Sequence, residues 1–279
     1  MASKDFAESL RLHREWGVSE LDLKDAIYGK TLLDLTNSEA EQARSAIEAA
    51  GLSVYALSSN LFNDDIELGE AHFRARHLAQ VDRLLELADA FRPQWVRLLA
   101  ARSSRRKTIT DIHAHLASEQ PWLLPMYAEA VDRLHAGGAA VILENEIHGC
   151  ILATPDDVLE FFRRLDRPGK LWFTLDIGNL WQEGTPPTVE VAQKVSAITR
   201  YLHLKGGQAE GSSPELAWQS SLADSSWPVE PVIESYLASG GSMICINPPH
   251  GARRPGYDYD GLVKRDLDFV QAVLRRSQA

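Results

Sequence analysis

Residues 171–179 read LWFTLDIGN, an apolar β-rich run that breaks at Asp176 into a short polar end. The same shape recurs. AAVILENE (139–146) carries Glu144 near its end, YLHLKGG (201–207) carries His203, and SMICIN (242–247) ends on Asn247. Short apolar runs between helical patterns read as strands of a parallel sheet covered by helices. In such a sheet, closed into a barrel, the C-terminal strand ends face the active site. Four of these ends offer two carboxylates, one imidazole and one amide oxygen.

Working outward, strands and helices alternate along the chain. Residues 5–16, 37–51, 69–91, 121–138 and 154–166 read as helices, as do segments near 188–199, 228–239 and 261–276. The helix at 37–51 has an Asn or Ser cap and a glycine stop, and the one at 154–166 has Thr154 as cap and Pro155 at its first position. In 69–91, Leu78, Val81, Leu84, Leu85 and Ala88 fall at core-face spacing for one long helix. Strands are expected at 18–25, 52–60, 95–101, 139–146, 171–179, 201–207 and 242–247. The expected fold is α/β, a (β/α)8-type barrel over 1–279 as a single domain. Seven strands are countable and the first helix precedes them all, so the barrel is incomplete or open at the first strand. A distant segment, a second copy or a partner chain is expected to cover that seam, because bare strand edges invite pairing. The loosest stretch is 205–226, which follows a strand, where such barrels keep their active-site loops.

A chain with a formal net charge of −10 repels phosphate backbones, which argues against nucleic acid as a partner. The two cysteines, Cys150 and Cys245, are not a disulfide scaffold and fit a reducing cytoplasm. MASKDFAESL lacks the apolar core of a signal peptide, and no apolar run is long enough for a membrane span.

Glu144, Asp176, His203 and Asn247 suit one divalent cation of the Mn, Mg, Co or Zn type. Taken singly, each has a plainer reading: a loop-capping carboxylate, a turn aspartate before Gly178, a core histidine, and an amide bonding the Pro248–Pro249 turn. Together, VILENEIHG, TLDIGNLWQEG, YLHLKG and MICINPPHG resemble the strand ends of the xylose isomerase-like TIM barrel superfamily, the sugar phosphate isomerase/epimerase group. The resemblance spans most of the chain. It implies a (β/α)8 barrel holding one divalent metal by Glu, Asp, His and a second Glu, with the two Glu residues moving a proton on carbon. Metal ligation then falls to Glu144, Asp176 and His203.

The sequence departs from that pattern in three places. Asn247 stands where the second Glu is expected, Glu146 where a His is frequent two residues after the first Glu, and Gly206 where an Asp is frequent after HLK. Asn can offer an oxygen to a metal but cannot carry a proton near neutral pH. A second proton carrier must come from Glu146, His148, Lys205 or His250, or the reaction uses one base. Lys205 follows His203 by two residues on the same strand face and is either an anion holder and acid or a solvated lysine. Lys24 and Asn60 end strands and could bind substrate hydroxyls. Arg102 opens a basic cluster with Arg105, Arg106 and Lys107, an anion site or a solvated loop. Arg253 follows the last strand, where barrels often hold phosphate. Trp181 offers a platform for sugar C–H faces or simply packs a loop.

The expected function is a metal-dependent isomerase or epimerase of a keto-sugar or sugar phosphate. The alternatives are a lyase or dehydratase eliminating a group from a keto-sugar or 3-oxo-glycoside, and a non-catalytic sugar-binding descendant. A multi-metal apurinic-site nuclease of the same superfamily needs extra strand-end histidines, which SSNLF and LLAARSS lack.

Overall fold

The apolar runs become strands in the computed structural model, which describes residues 2–211, 213, 215–248 and 251–277. Strands β1 (Glu20–Leu23), β2 (Ser53–Ser58), β3 (Trp95–Leu99), β4 (Val141–Glu144), β5 (Leu171–Asp176), β6 (Thr199–Leu204) and β9 (Ile244–Ile246) form one sheet in the order β1-β2-β3-β4-β5-β6-β9. β3 and β4 are buried along their whole length, as a parallel sheet covered on both faces requires. The fold is α/β, of the TIM-barrel type, with seven strands in place of eight among the described residues; β1 and β9 are the two ends of the order. A separate antiparallel hairpin, β7 (Gln208–Ala209) with β8 (Leu216–Trp218), lies inside the stretch that the sequence marks as loosest.

The chain divides into two compact units. The first comprises Met1–Ala101, Asp111–Leu143 and Phe162–Leu171. It holds helices α1 (Phe6–Glu15), α2 (Asn37–Ala49), α3 (Glu70–Arg76), α4 (Val81–Phe91), α5 (Ile112–Ser118) and α6 (Leu123–Ala136). Here two helix expectations are corrected. Helix α2 is capped by Thr36, not by Asn37 or Ser38: Thr36 Oγ1 accepts from Glu39 N at 3.2 Å, while Thr36 N donates to Glu39 Oε2 at 2.8 Å. The helix expected over 69–91 breaks at His77 into α3, one 3-10 turn and α4. His77 is buried, stacks on Phe62 at 5.7 Å, and its Nδ1 accepts the Phe62 amide proton at 3.1 Å. A ring drawn inward to serve another segment's backbone leaves the helical path, and periodicity alone cannot register that.

The second unit comprises Arg102–Thr110, Glu144–Phe161 and Trp172–Ala279. It carries β6, β9 and α8 (Ile177–Gln182), α9 (Val189–Val195), α10 (Val229–Ala238) and α11 (Leu262–Ser277), while α7 (Pro155–Leu165) spans the division. Parallel register sets Asp176 of β5 beside His203 of β6, and His203 beside Cys245 of β9. Asn247, two residues beyond Cys245, falls on the same side of that strand line. Strand pairing thus assembles side chains that lie up to 71 residues apart in the chain. No helix among the described residues is long and apolar enough to cross a membrane.

Candidate metal centre

Glu144 closes β4, Asp176 closes β5, and His203 sits in β6; all three are buried, with ligand atoms within 4.8 Å of one another. His203 Nδ1 lies 2.9 Å from Glu144 Oε1. Asn247 Nδ2 lies 3.2 Å from the same Nδ1 and 3.4 Å from Asp176 Oδ2. The Asn247 Oδ1 faces the other way and accepts from the Cys245 thiol at 3.3 Å. Lys205 reaches in from the end of β6. Its Nζ is 2.8 Å from Asp176 Oδ2 and donates to Asn179 Oδ1 at 2.6 Å. The solvated-lysine reading of Lys205 therefore gives way to a buried one. Burial alone would push this ammonium down, but the charges of Asp176, Glu144 and Glu146 and the bond to Asp176 leave its pKa raised.

The local sequence explains how Asp176 is held. It caps α8, its Oδ1 accepting from Asn179 N at 2.8 Å. Asn145 and Asp176 are joined twice, Asn145 Nδ2 to Asp176 O and Asp176 N to Asn145 Oδ1, each at 2.9 Å. Asn179 Nδ2 closes the set on Asn145 O at 2.9 Å. Gly178 is the residue that lets Lys205 pass: a Cβ there would stand 2.7 Å from Lys205 Cβ. LEN and LDIGN thus make one interlocked unit. Asn145 and Asn179 stand within those stretches, but only the distances reveal that they orient Asp176.

The donor set fits a divalent cation. One proton on His203 Nδ1 satisfies its contact with Glu144 and opposes its contact with the Asn247 amide nitrogen. A cation among these heteroatoms, with the Asn247 amide turned, resolves that conflict. Oxygen donors with one imidazole suit Mg, Mn, Zn or Co.

The other expected residues distribute as follows. Glu146 is half-buried, and its charge acts on Lys205. His148 is exposed, at a φ of 66°. Arg102 bridges its backbone to Cys150, and its buried Nε has no hydrogen-bond partner among the described residues. Of the basic cluster beside it, Arg106 is engaged with Asp157 at 3.0 Å and with the Cys150 carbonyl at 3.2 Å. Trp181 packs on Trp227 with ring centroids 5.5 Å apart. Arg253 lies over the Tyr259 ring at 4.8 Å. Lys24, half-buried, and Asn60, exposed, follow β1 and β2 in the first unit. His250 lies outside the described residues. No sequence pattern points to Glu183, whose carboxylate accepts the amides of Gly149 and Cys150 at 3.1 and 3.2 Å.

A buried carboxylate–imidazole cluster at adjacent strand ends makes a candidate metal site in a barrel of the α/β class. The family model described as "Xylose isomerase-like TIM barrel" matches residues 14–226, and the chain belongs to that family. Among solved structures, a xylose isomerase-like TIM barrel protein from Mycobacterium smegmatis in complex with magnesium is 21% identical, with a TM-score of 0.72 over 98% of this chain and 89% of that one. An L-ribulose 3-epimerase is 15% identical, with a TM-score of 0.73 over 99% of this chain and 92% of that one. The probable 3-DHS dehydratase AsbF from Bacillus anthracis is 14% identical, with a TM-score of 0.71 over 96% of this chain and 93% of that one. At these identities the likeness is one of fold. No curated protein matches the chain in sequence.

Proposed function

We propose that this chain is a divalent-metal-dependent enzyme that moves a carbon-bound proton of a keto-sugar or sugar phosphate, as an isomerase or epimerase does. The observation that carries this reading is the convergence of buried Glu144, Asp176 and His203 within 4.8 Å. These three residues would hold the cation, with Asn247 as a fourth ligand through its amide oxygen. Held there, a divalent cation would supply Lewis acidity toward a substrate carbonyl and so acidify the adjacent C–H. Glu144 or Glu146 takes the proton, and Lys205 holds the oxygen on which negative charge develops. His148 and His250 are the further candidates for a second proton carrier. Arg102 and Arg253 bind an anionic group of the substrate, and Trp181 packs on its apolar face. The partner is a small carbohydrate, and the chain acts in the cytoplasm.

A second reading uses the same residues. Asn247 carries no proton, so one base, Glu144 or Glu146, suffices for proton abstraction followed by loss of a β-substituent from a keto-sugar or 3-oxo-glycoside. One experiment separates the two. The purified protein is analysed for metal and then incubated with keto-sugars in deuterated water under NMR. About one metal per chain, with deuterium entering a substrate carbon, supports the proposal. An eliminated group without an epimer selects the second reading. Full turnover by metal-free protein refutes both.

A further inference from the structure

Glu183 lies outside the metal cluster and none of the expected roles uses it. It caps the C-terminal end of α8, the helix whose N-cap is Asp176. Its two carboxylate oxygens divide between neighbours: Oε1 accepts from Gly149 N at 3.1 Å and Oε2 from Cys150 N at 3.2 Å. The Glu183 carboxyl is half-buried, and burial pushes its pKa up in spite of these bonds. The segment it grips is bent. His148 has a φ of 66° and Gly149 one of 89°, and a Cβ on Gly149 would stand 2.5 Å from Ser103 O. On its other side the segment is held by Ser103 N on Gly149 O at 2.8 Å and by Arg106 Nε on Cys150 O at 3.2 Å.

The 145–150 segment is therefore fastened to the 176–183 segment at two points. One is the Asn145–Asp176–Asn179 set, and the other is the Glu183 carboxylate. Glu146 lies between them, its amide donating to Cys150 Sγ at 3.3 Å. A non-glycine residue with positive φ persists only where its surroundings hold it there. We infer that Glu183 is a positioning residue, which keeps the strained 146–150 turn closed and so fixes where Glu146, two residues beyond Glu144, is held. The inference rests on the reading of this site as a metal centre with Glu146 among its charges.

The test is a double-mutant cycle read by Mn²⁺ affinity in calorimetry, with amide hydrogen exchange at Gly149 and Cys150. Glu183→Ala is expected to speed both amides and to weaken Mn²⁺ binding about tenfold, the lower end of what outer-shell partners of metal ligands contribute. Glu183→Gln keeps an acceptor oxygen and recovers part of the affinity. In a Glu146→Gln background, Glu183→Ala is expected to have no further effect on Mn²⁺, because the group it positions is no longer charged. Unchanged Mn²⁺ affinity in Glu183→Ala, or an equal loss in both backgrounds, overturns the inference; a clamp of merely structural importance gives the second result. Wild-type protein that takes up no Mn²⁺ overturns the metal reading itself, and this inference with it, before any variant is compared.

Discussion

Replacing Asp266 by an asparagine should make the protein more stable at neutral pH and remove one component of its pH dependence. Asp266 is buried on α11, and its Oδ1 accepts the Leu222 amide proton at 2.8 Å. Burial raises its carboxyl from 3.8 to about 6, with Asp224 adding to the rise and the Leu222 bond and Arg265 opposing it. The folded state thus holds this proton more tightly than the unfolded chain does. Stability from this group is complete below pH ~4 and is lost as pH climbs through about 6. A carboxyl raised by roughly two pH units corresponds to about 3 kcal/mol at most. The substituted amide would keep an oxygen for Leu222 N without a charge to bury. Urea unfolding of both proteins at pH 4 and pH 7.5 gives the difference between them at each pH. That difference should move in favour of Asp266→Asn by about 2–3 kcal/mol from the lower to the higher pH. Because both chains share every other titrating group, those contributions cancel. An equal difference at the two pH values would show that Asp266 is not strained by its burial, and the reasoning fails.

Three further outcomes are expected. Lys205→Met leaves the Asp176 carboxylate buried without its ammonium, so the metal-free protein should lose about 3–5 kcal/mol, and Mn²⁺ should raise its melting temperature more than it raises that of wild type. Thermal scans with and without Mn²⁺ check this. Asn145→Ala removes both of its bonds to the Asp176 backbone and should weaken metal affinity about 10–100-fold, measured by calorimetry, with a smaller effect on the fold than Lys205→Met. Thr36→Ala breaks the capping box of α2, far from the metal residues in sequence, and should cost about 1 kcal/mol in urea unfolding while Mn²⁺ affinity stays as in wild type.

Much of the fold is legible because buried parallel strands announce themselves as short apolar runs. The positions at their ends are legible for the same reason: Glu144, Asp176, His203 and Asn247 are polar interruptions in apolar stretches. What is not legible depends on contacts between segments. His77 looks like one more residue of a long helix until Phe62 claims its ring nitrogen. Asn145 and Asn179 fall at the ends of runs read as strands, and only the fold shows that both bond to Asp176. Glu183 carries no signal in the sequence, since no local pattern says that it reaches across to residues 149–150. Thr36 escapes notice because Asn37 and Ser38 are also good caps, and only the reciprocal bond to Glu39 decides among them.

Helix α8 has six residues, with Asp176 at one end and Glu183 at the other. Each helical residue adds about 100° of rotation and about 1.5 Å of rise. A single insertion or deletion there would swing Glu183 well off the line to Gly149 and Cys150 while leaving Asp176 in place. The helix thus sets an angular phase between two anchorages, and its length admits no drift. Sequence change within 177–182 is confined to substitutions that preserve the count.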